Sequence, residues 1–323
     1  MPKQDGKDRR QMDALRFRKD GTFTILQVTD LHYRNGGPAD QQTLSLLSRL
    51  IQAEKPDLVV LTGDVVHSEN VEQTLAAYTQ VMQALDAEQT PWATVFGNHD
   101  ADNCRKEDLL ALQQASLWSR TIAGPDLGDR LGNYVLELEA HAEERTAAAL
   151  YLLDSGGDTT HPIGGYQWIT HSQIGWYQTE SGRLTHNNGG VPLPALAFFH
   201  IPLPEYHDLW NYHTCYGENR EGMGCPQVNS GLFAAFLEAG DVKGVFVGHD
   251  HINDFWGELW GIRLCYGRST GCSAYGQEDF QRGGRIIQLT EGQPGFKSWL
   301  RLEDGTVLTE QAEHPPEHIW KRI

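Results

Sequence analysis

The chain predicts an α/β fold, and three features of its 323 residues carry that prediction. Short apolar runs with no polar face alternate with longer segments whose apolar residues recur at helical spacing. Several of these runs end in a glycine or in a polar cluster rich in Asp, Asn and His. The first three clusters are evenly placed: Asp30, Asp64 and Asn98 stand 34 residues apart, about the length of one strand, one helix and a return.

In chain order, residues 1–20 are polar and predict an N-terminal arm, with Leu15 and Phe17 placed to begin an edge strand. Residues 21–323 read as one domain, without internal repeat or low-complexity linker. The run 23–28 (FTILQV) is a strand leading into Asp30-Leu31-His32. Segment 41–54 carries Leu44, Leu46, Leu47, Leu50 and Ile51 at helical spacing, and Pro56 closes it. The run 58–61 (LVVL) is β-branched and apolar on both faces, as in a strand covered on both sides. Gly63 then permits a sharp turn that delivers Asp64 at the strand's carboxyl end, where open α/β sheets place their ligands. A second helix at 71–87 and a strand at 92–96 lead to Gly97-Asn98-His99-Asp100. These hundred residues read β-α-β-α-β, a parallel unit that is right-handed by default.

Further on, 107–118 predicts a helix, and 132–138 with 147–153 a hairpin around a charged loop, opening a second and more antiparallel sheet. The following stretch Asp154-Ser155-Gly156-Gly157-Asp158 either reaches the site or is an ordinary Gly-rich turn. A helix at 171–184 precedes a strand at 195–199 that ends in His200. A helix at 232–237 precedes a strand at 242–247 that ends in Gly248-His249-Asp250-His251, and 262–266 and 285–289 are further strands. Between His200 and Ser230 there is little apolar periodicity. Loops beyond about 12–15 residues in a compact domain are usually functional or disordered, so 201–229 predicts a lid or specificity loop. Within it Glu205, Tyr206 and His207, with Trp210, Tyr212 and His213, either shape a pocket or pack the loop onto its own domain.

Composition narrows the function. Hydrophobic residues at 39% with 10% aromatics exclude wholesale disorder. With 43 acidic against 26 basic residues and a net charge of -17, a broad duplex-binding surface is disfavoured, because phosphate contacts need clustered Lys and Arg. Bound cations would offset part of that charge locally. No window approaches the roughly 18 apolar residues of a membrane span, and the opening MPKQDGKDRR lacks a signal peptide's apolar core. The expectation is a cytoplasmic protein with no membrane partner, or a secreted one if the chain has been trimmed. Cys104, Cys215, Cys225, Cys265 and Cys272 show no C-x-x-C pattern and predict mostly reduced thiols, although Cys215 and Cys225 bracket one loop and could bridge in an oxidising compartment.

On extended backbone, positions i and i+2 project to one face, so a single cation can take both Asp30 and His32, or both His249 and His251. Either pair alone is common by chance. The ordered set is specific: D-x-H, G-D, G-N-H-D, a strand-terminal His, then G-H-D-H. In these blocks, over about residues 22–290, the chain resembles the calcineurin-like metallophosphoesterase superfamily.

The resemblance implies a four-layer α/β/β/α sandwich with two metal ions at the sheet edges. Asp30, His32, Asp64 and His251 would hold one ion; Asp64, Asn98, His200 and His249 would hold the other, Asp64 bridging both. Such mixed donors suit Mn, Fe or Zn, as two divalent or trivalent ions. Ions about 3.5–4 Å apart lower the pKa of a bridging water and clamp the phosphoryl oxygens. The expected reaction is phosphomonoester hydrolysis by that bridging hydroxide, on a small phosphorylated substrate or a phosphoprotein. With Asn98 as ligand, His99 is left to stabilise the phosphoryl group or protonate the leaving oxygen. Asp100 and Asp250 are expected to support the ligands rather than join them.

Finer wording, in Leu153-Asp154-Ser155-Gly156, Gly165-Tyr166-x-Trp168-Ile169 and the segments after His200 and Val247, resembles the purple-acid-phosphatase-like proteins of fungi and plants. One position departs. Three residues after the bridging aspartate, true purple acid phosphatases have a metal-ligating tyrosine and serine/threonine phosphatases an aspartate, where this chain has His67. His67 is expected to bind phosphate, contact a metal or cap a helix. A phosphodiesterase acting on cyclic nucleotides or lipid diesters would use the same core. A non-catalytic binding protein on the same fold is the competing reading from another class.

Overall fold

The computed structural model describes residues 14–67 and 70–318. In chain order its elements are β1 (Thr22–Val28), α1 (Pro38–Glu54), β2 (Leu58–Thr62), α2 (Val71–Ala87), β3 (Trp92–Val95), α3 (Lys106–Ala115), β4 (Tyr134–Glu139) and β5 (Thr146–Leu152). Then come α4 (His171–Asn187), β6 (Ala195–Phe198), α5 (Glu205–Tyr212), β7 (Cys215–Tyr216), α6 (Leu232–Ala239), β8 (Val242–Val247), β9 (Trp256–Leu259) and β10 (Ile262–Tyr266). The series ends with β11 (Gly283–Thr290), β12 (Phe296–Leu302), β13 (Val307–Leu308) and β14 (Glu313–His314). Among the described residues no helix is long and apolar enough to cross a membrane.

The strands form two sheets, ordered β13-β12-β11-β1-β2-β3 and β14-β7-β9-β10-β8-β6-β5-β4. β1, β2 and β3 pair in parallel through α1 and α2, as the even spacing of the polar clusters predicts. Alternation along each strand explains why these runs have no polar face. Phe23, Ile25, Leu58 and Val60 point between the sheets, where they meet Leu150, Leu152, Leu196, Phe198 and Phe246. The intervening Leu26, Val28, Val59 and Leu61 point the other way, onto Leu46, Leu50, Tyr78, Val81 and Leu109 of α1 to α3. On the far side, Tyr151, Ala197, Phe199 and Val245 are covered by Tyr177 and Leu184 of α4, Tyr206 and Leu209 of α5 and Phe233 and Phe236 of α6. Three apolar interfaces separate four layers, α/β/β/α.

Two expectations need correction. The second sheet is not mainly antiparallel at its centre, since β5, β6, β8 and β10 all pair in parallel; the hairpin of β4 and β5 is antiparallel. Segment 201–229 is not a free lid. It contains α5 and β7, and the side chains of Tyr206, Leu209 and Cys215 are fully buried. The segment is held by its own core contacts. Cys215 and Cys225 are free thiols, their Sγ atoms donating to Leu209 O and Leu203 O. Of the expected N-terminal arm, residues 1–13 lie outside the described residues. Leu15 and Phe17 are buried between the sheets, and Arg16 bridges to Glu139 of β4.

Candidate metal centre

Five strands end at one place. The loops after β1, β2, β3, β6 and β8 supply Asp30 and His32, Asp64, Asn98 and His99, His200, and His249 to His251 respectively. Bringing five chain segments so close requires glycine where backbones touch. Gly63 has φ +89°, and a Cβ there would stand 2.6 Å from His200 Nδ1. At Gly97 a Cβ would land on the carboxylate and amide of Asp64. Strain falls on the same residues: of seven non-glycine residues with positive φ among the described residues, four are Asp30, His32, Asp64 and His249. Left-handed backbone costs an L-residue energy and persists where the surroundings enforce it, often at functional sites.

The seven residues expected as ligands converge. His32 Nε2 lies 3.1 Å from His251 Nε2 and 3.4 Å from Asp64 Oδ2, and His251 Nε2 lies 3.5 Å from Asp30 Oδ1. The same oxygen, Asp64 Oδ2, lies 3.2 Å from His200 Nε2. Asn98 Oδ1 stands 3.0 Å from both His200 Nε2 and His249 Nδ1, and those two nitrogens are 3.3 Å apart. Asp64 is common to both groups. Bonds of about 2.0–2.2 Å from one cation to nitrogen and oxygen donors give donor separations near 3.0–3.5 Å. The spacing therefore fits two coordination shells sharing one carboxylate.

Electrostatics point the same way. Asp30 is fully buried and Asp64 is 1% exposed, and within 4.0 Å, among the described residues, their cationic partners are histidines alone. Burial would raise the Asp64 pKa, but His200 and His32 outweigh it and pull the carboxyl well below its usual range. Burial pushes His32 and His249 down to about 3, leaving neutral imidazoles with lone pairs to give. His200, against the burial that would lower it, is carried up to about 10 by Asp64.

Backbone and side chains fix the donors' orientation. His200 Nδ1 donates to Thr62 O at 2.8 Å and His251 Nδ1 to Tyr275 O at 3.3 Å, so each leaves Nε2 facing the centre. Asp30 accepts from His249 N, and Asp64 Oδ1 from His99 N. Asp100 is buried and accepts the amides of Asp64, Val65, Val66 and Gly97 at 2.8–3.1 Å, clamping the loops after β2 and β3 together. Burial and the nearby Asp64 raise its pKa to about 6. Asp250 accepts from Gly224 N and the Tyr266 hydroxyl.

His99 lies beside the centre and its Nδ1 meets Asp102 Oδ2 at 2.8 Å. Although burial disfavours its charge, Asp64 and Asp102 hold its pKa above the ordinary value. His67 lies in the site as well: its ring stacks on His99 with centroids 4.4 Å apart, and its Nδ1 is 3.3 Å from His32 Nδ1.

Three other expected pocket residues are elsewhere. Tyr206 is fully buried in the core under the second sheet, its hydroxyl donating to the carbonyls of Val245 and Cys265. The Glu205 carboxylate accepts from Asn229, and His207 is exposed on α5. A helix carries all three, and its buried face is occupied by packing. The Asp154 loop does reach the centre, since a Cβ on Gly157 would touch Asn98 at 3.5 Å. Sequence reasoning missed Asp102, as well as Tyr166, edge-on to His249 at 4.4 Å, and Tyr275, stacked on His251 at 4.0 Å. Asp102 had a signal in its place within the G-N-H-D loop. Tyr166 stood in a segment that carries the family resemblance but had no role assigned to it, and Tyr275, far along the chain on an irregular loop, had no signal in its spacing.

The family model described as calcineurin-like phosphoesterase matches residues 23–253. A protein of Arabidopsis thaliana named "Probable inactive purple acid phosphatase 29" is 35% identical, over 91% of this chain and 86% of its own length. "Phosphatase DCR2" of Saccharomyces cerevisiae is 28% identical over 88% of this chain and 54% of its own. Among solved structures, a dimetal phosphatase from Danio rerio superposes with a TM-score of 0.56 at 15% identity, over 85% of this chain and 98% of that one. That last likeness is one of fold.

Proposed function

Because the chain belongs to the calcineurin-like phosphoesterase family, we propose that it is a dinuclear metal-dependent enzyme that hydrolyses phosphomonoesters. The observation that carries this reading is the convergence of six candidate donors around a seventh, Asp64, at coordination-shell spacing. Asp30, His32, Asp64 and His251 would hold one ion, and Asp64, Asn98, His200 and His249 the other. The donor set favours Mn, Fe or Zn. When bound, such a pair supplies an activated water and positive charge for the phosphoryl oxygens.

The chain's own residues do the rest. His99, protonated and held by Asp102, would give its proton to the leaving oxygen. His67 stacks on its ring and limits how far it can turn. The choice of monoesters rests on the relatives whose printed names are phosphatases. One of those names includes the word "inactive", and so favours a second reading, a non-catalytic binding protein. Against it, no expected donor position is lost in this chain.

The test is to load the protein with Mn, Zn or Fe, count the metal by elemental analysis, and compare an aryl monophosphate with an aryl diester. The expected result is monoester hydrolysis that Asp64→Asn abolishes. Faster cleavage of the diester would make the chain a phosphodiesterase. A protein carrying two equivalents of metal and cleaving neither substrate would be a binding protein.

A further inference from the structure

We propose that Tyr275 and Glu221 form a tie that positions His251 and sets the affinity of the metal site that His251 completes; the inference rests on the two-ion reading above. A histidine ligand needs two constraints: a partner for its outer N–H, which fixes the tautomer, and something to stop its ring from turning. Tyr275 supplies both. Its carbonyl takes the Nδ1 proton of His251 at 3.3 Å, and its ring lies on the imidazole with centroids 4.0 Å apart.

Burial does not hold Tyr275 there, because 56% of the residue is exposed. Its hydroxyl instead donates to Glu221 Oε2 at 2.7 Å. The other oxygen of Glu221 accepts the amide of Ile252, the residue after His251, at 2.7 Å. The contacts thus close a ring from His251 through Tyr275 and Glu221 back to Ile252. Arg282 fastens the base of the ring, donating to the carbonyls of Ala274 and Tyr275 at 2.9 and 2.8 Å. Glu221 comes from the segment between β7 and α6, and Tyr275 from the loop between β10 and β11, so the tie joins two loops across one ligand. The second donor group is oriented by other contacts, His200 by Thr62 O and His249 by Asp30 through its amide.

The tie therefore acts on one ion of the two. The metal-free protein is titrated with Zn²⁺ against a chromophoric chelator, and its melting temperature is measured without metal. Wild type should take two equivalents. Tyr275→Phe should bind one of them about 10-fold more weakly, the low end for loss of a contact that supports a ligand, and the other unchanged. Tyr275→Ala, which also loses the ring, should weaken it further. Glu221→Gln should bind close to wild type, because an amide oxygen still accepts from Ile252 and its NH2 can donate to the Tyr275 oxygen. Metal-free melting of Tyr275→Phe should match wild type. Two equivalents bound by Tyr275→Phe as tightly as by wild type, or both weakened alike, would overturn the tie. Fewer than two equivalents in wild type would overturn the two-ion reading itself, and the tie with it.

Discussion

His99 and Asp102 are paired at 2.8 Å, Nδ1 to Oδ2, three residues apart on the loop after β3. Two carboxylates favour the charged imidazole, Asp64 and Asp102, but only one of them would keep that influence in the loaded protein. Cations held at Asp64 would neutralise its field. Asp102 is then the group that keeps a proton on His99.

Asp102→Asn should therefore impair leaving-group protonation while sparing the metal donors. General acid catalysis contributes about 10²–10⁴-fold, and the contribution is greatest when the leaving oxygen is basic. Alkyl phosphate hydrolysis should fall far more than hydrolysis of an aryl phosphate with an acidic phenol. Comparing kcat/KM for the two substrates in wild type and variant checks this. An equal loss on both would remove His99 from the proton's path.

His67 touches both His32 and His99, through separate features of one ring. Its Nδ1 faces His32 Nδ1 at 3.3 Å, and its face lies 8° from parallel with that of His99. His67→Phe keeps a flat ring but loses the nitrogen; His67→Asn keeps a short polar group but loses the stack. The first should weaken metal binding by about 10-fold or more. The second should bind metal nearly as wild type and lose turnover. If the two variants behave alike in a metal competition assay and in kcat, His67 has no such divided role.

Gly97→Ala tests whether the donors need the backbone to come this close. The added methyl would occupy the place of the Asp64 carboxylate and amide, so Asp64 or the whole loop after β3 must move. Overpacking of this kind costs about 1–3 kcal/mol, which a four-layer core can tolerate. The expected variant is folded by circular dichroism and binds less than one equivalent of metal by elemental analysis. Full metal loading would show that the contact is not restrictive.

The cluster of seven candidate donors was legible because cation chemistry admits few residue types, and each stands at the end of an apolar run that a buried strand requires. Asp100 and Asp250 were legible as supports because they stand inside the same blocks; Tyr275 and Glu221 were not. Tyr275 acts on His251 through a carbonyl and a ring face, Glu221 through one oxygen to Tyr275 and one to Ile252, and neither demand leaves a spacing in the chain. α5 escaped notice because it spans eight residues, follows Pro202 and Pro204, and takes five of its eight residues from Tyr, His, Asp and Asn, all weak helix formers. The direction of β6, β8 and β10 was hidden for another reason. Apolar runs do not reveal strand sense; the crossovers through α4 and α6 do so for β6 and β8, since parallel neighbours need long connections, whereas β10 follows β8 through β9 with no helix between them. β12 went unread because its burial is partial, with Leu300 alone deeply buried.

Arg285 offers a test of how the loop after β8 is anchored. Its side chain is fully buried, yet its partners are neutral: Nε donates to Tyr266 O at 2.7 Å and Nη2 to Asp254 O at 2.6 Å. Nη1 reaches Ser298 Oγ at 3.2 Å. One guanidinium thus links the end of β10, the turn that follows the His249 and His251 donors, and β12. Burial pushes its pKa below the ordinary value; the fork of N–H donors, not an ion pair, makes the residue suitable here. Arg285→Met fits the space but strands Tyr266 O and leaves Asp254 O with Gln311 Nε2 at 3.3 Å; an unpaired carbonyl costs about 1–3 kcal/mol, so a loss of about 1–3 kcal/mol is expected from urea denaturation. Arg285→Lys, with a single ammonium at the tip, cannot reach both carbonyls and should fall between. A loss under about 1 kcal/mol in Arg285→Met would mean that water or a shifted backbone takes over those carbonyls, and that the turn does not depend on this side chain.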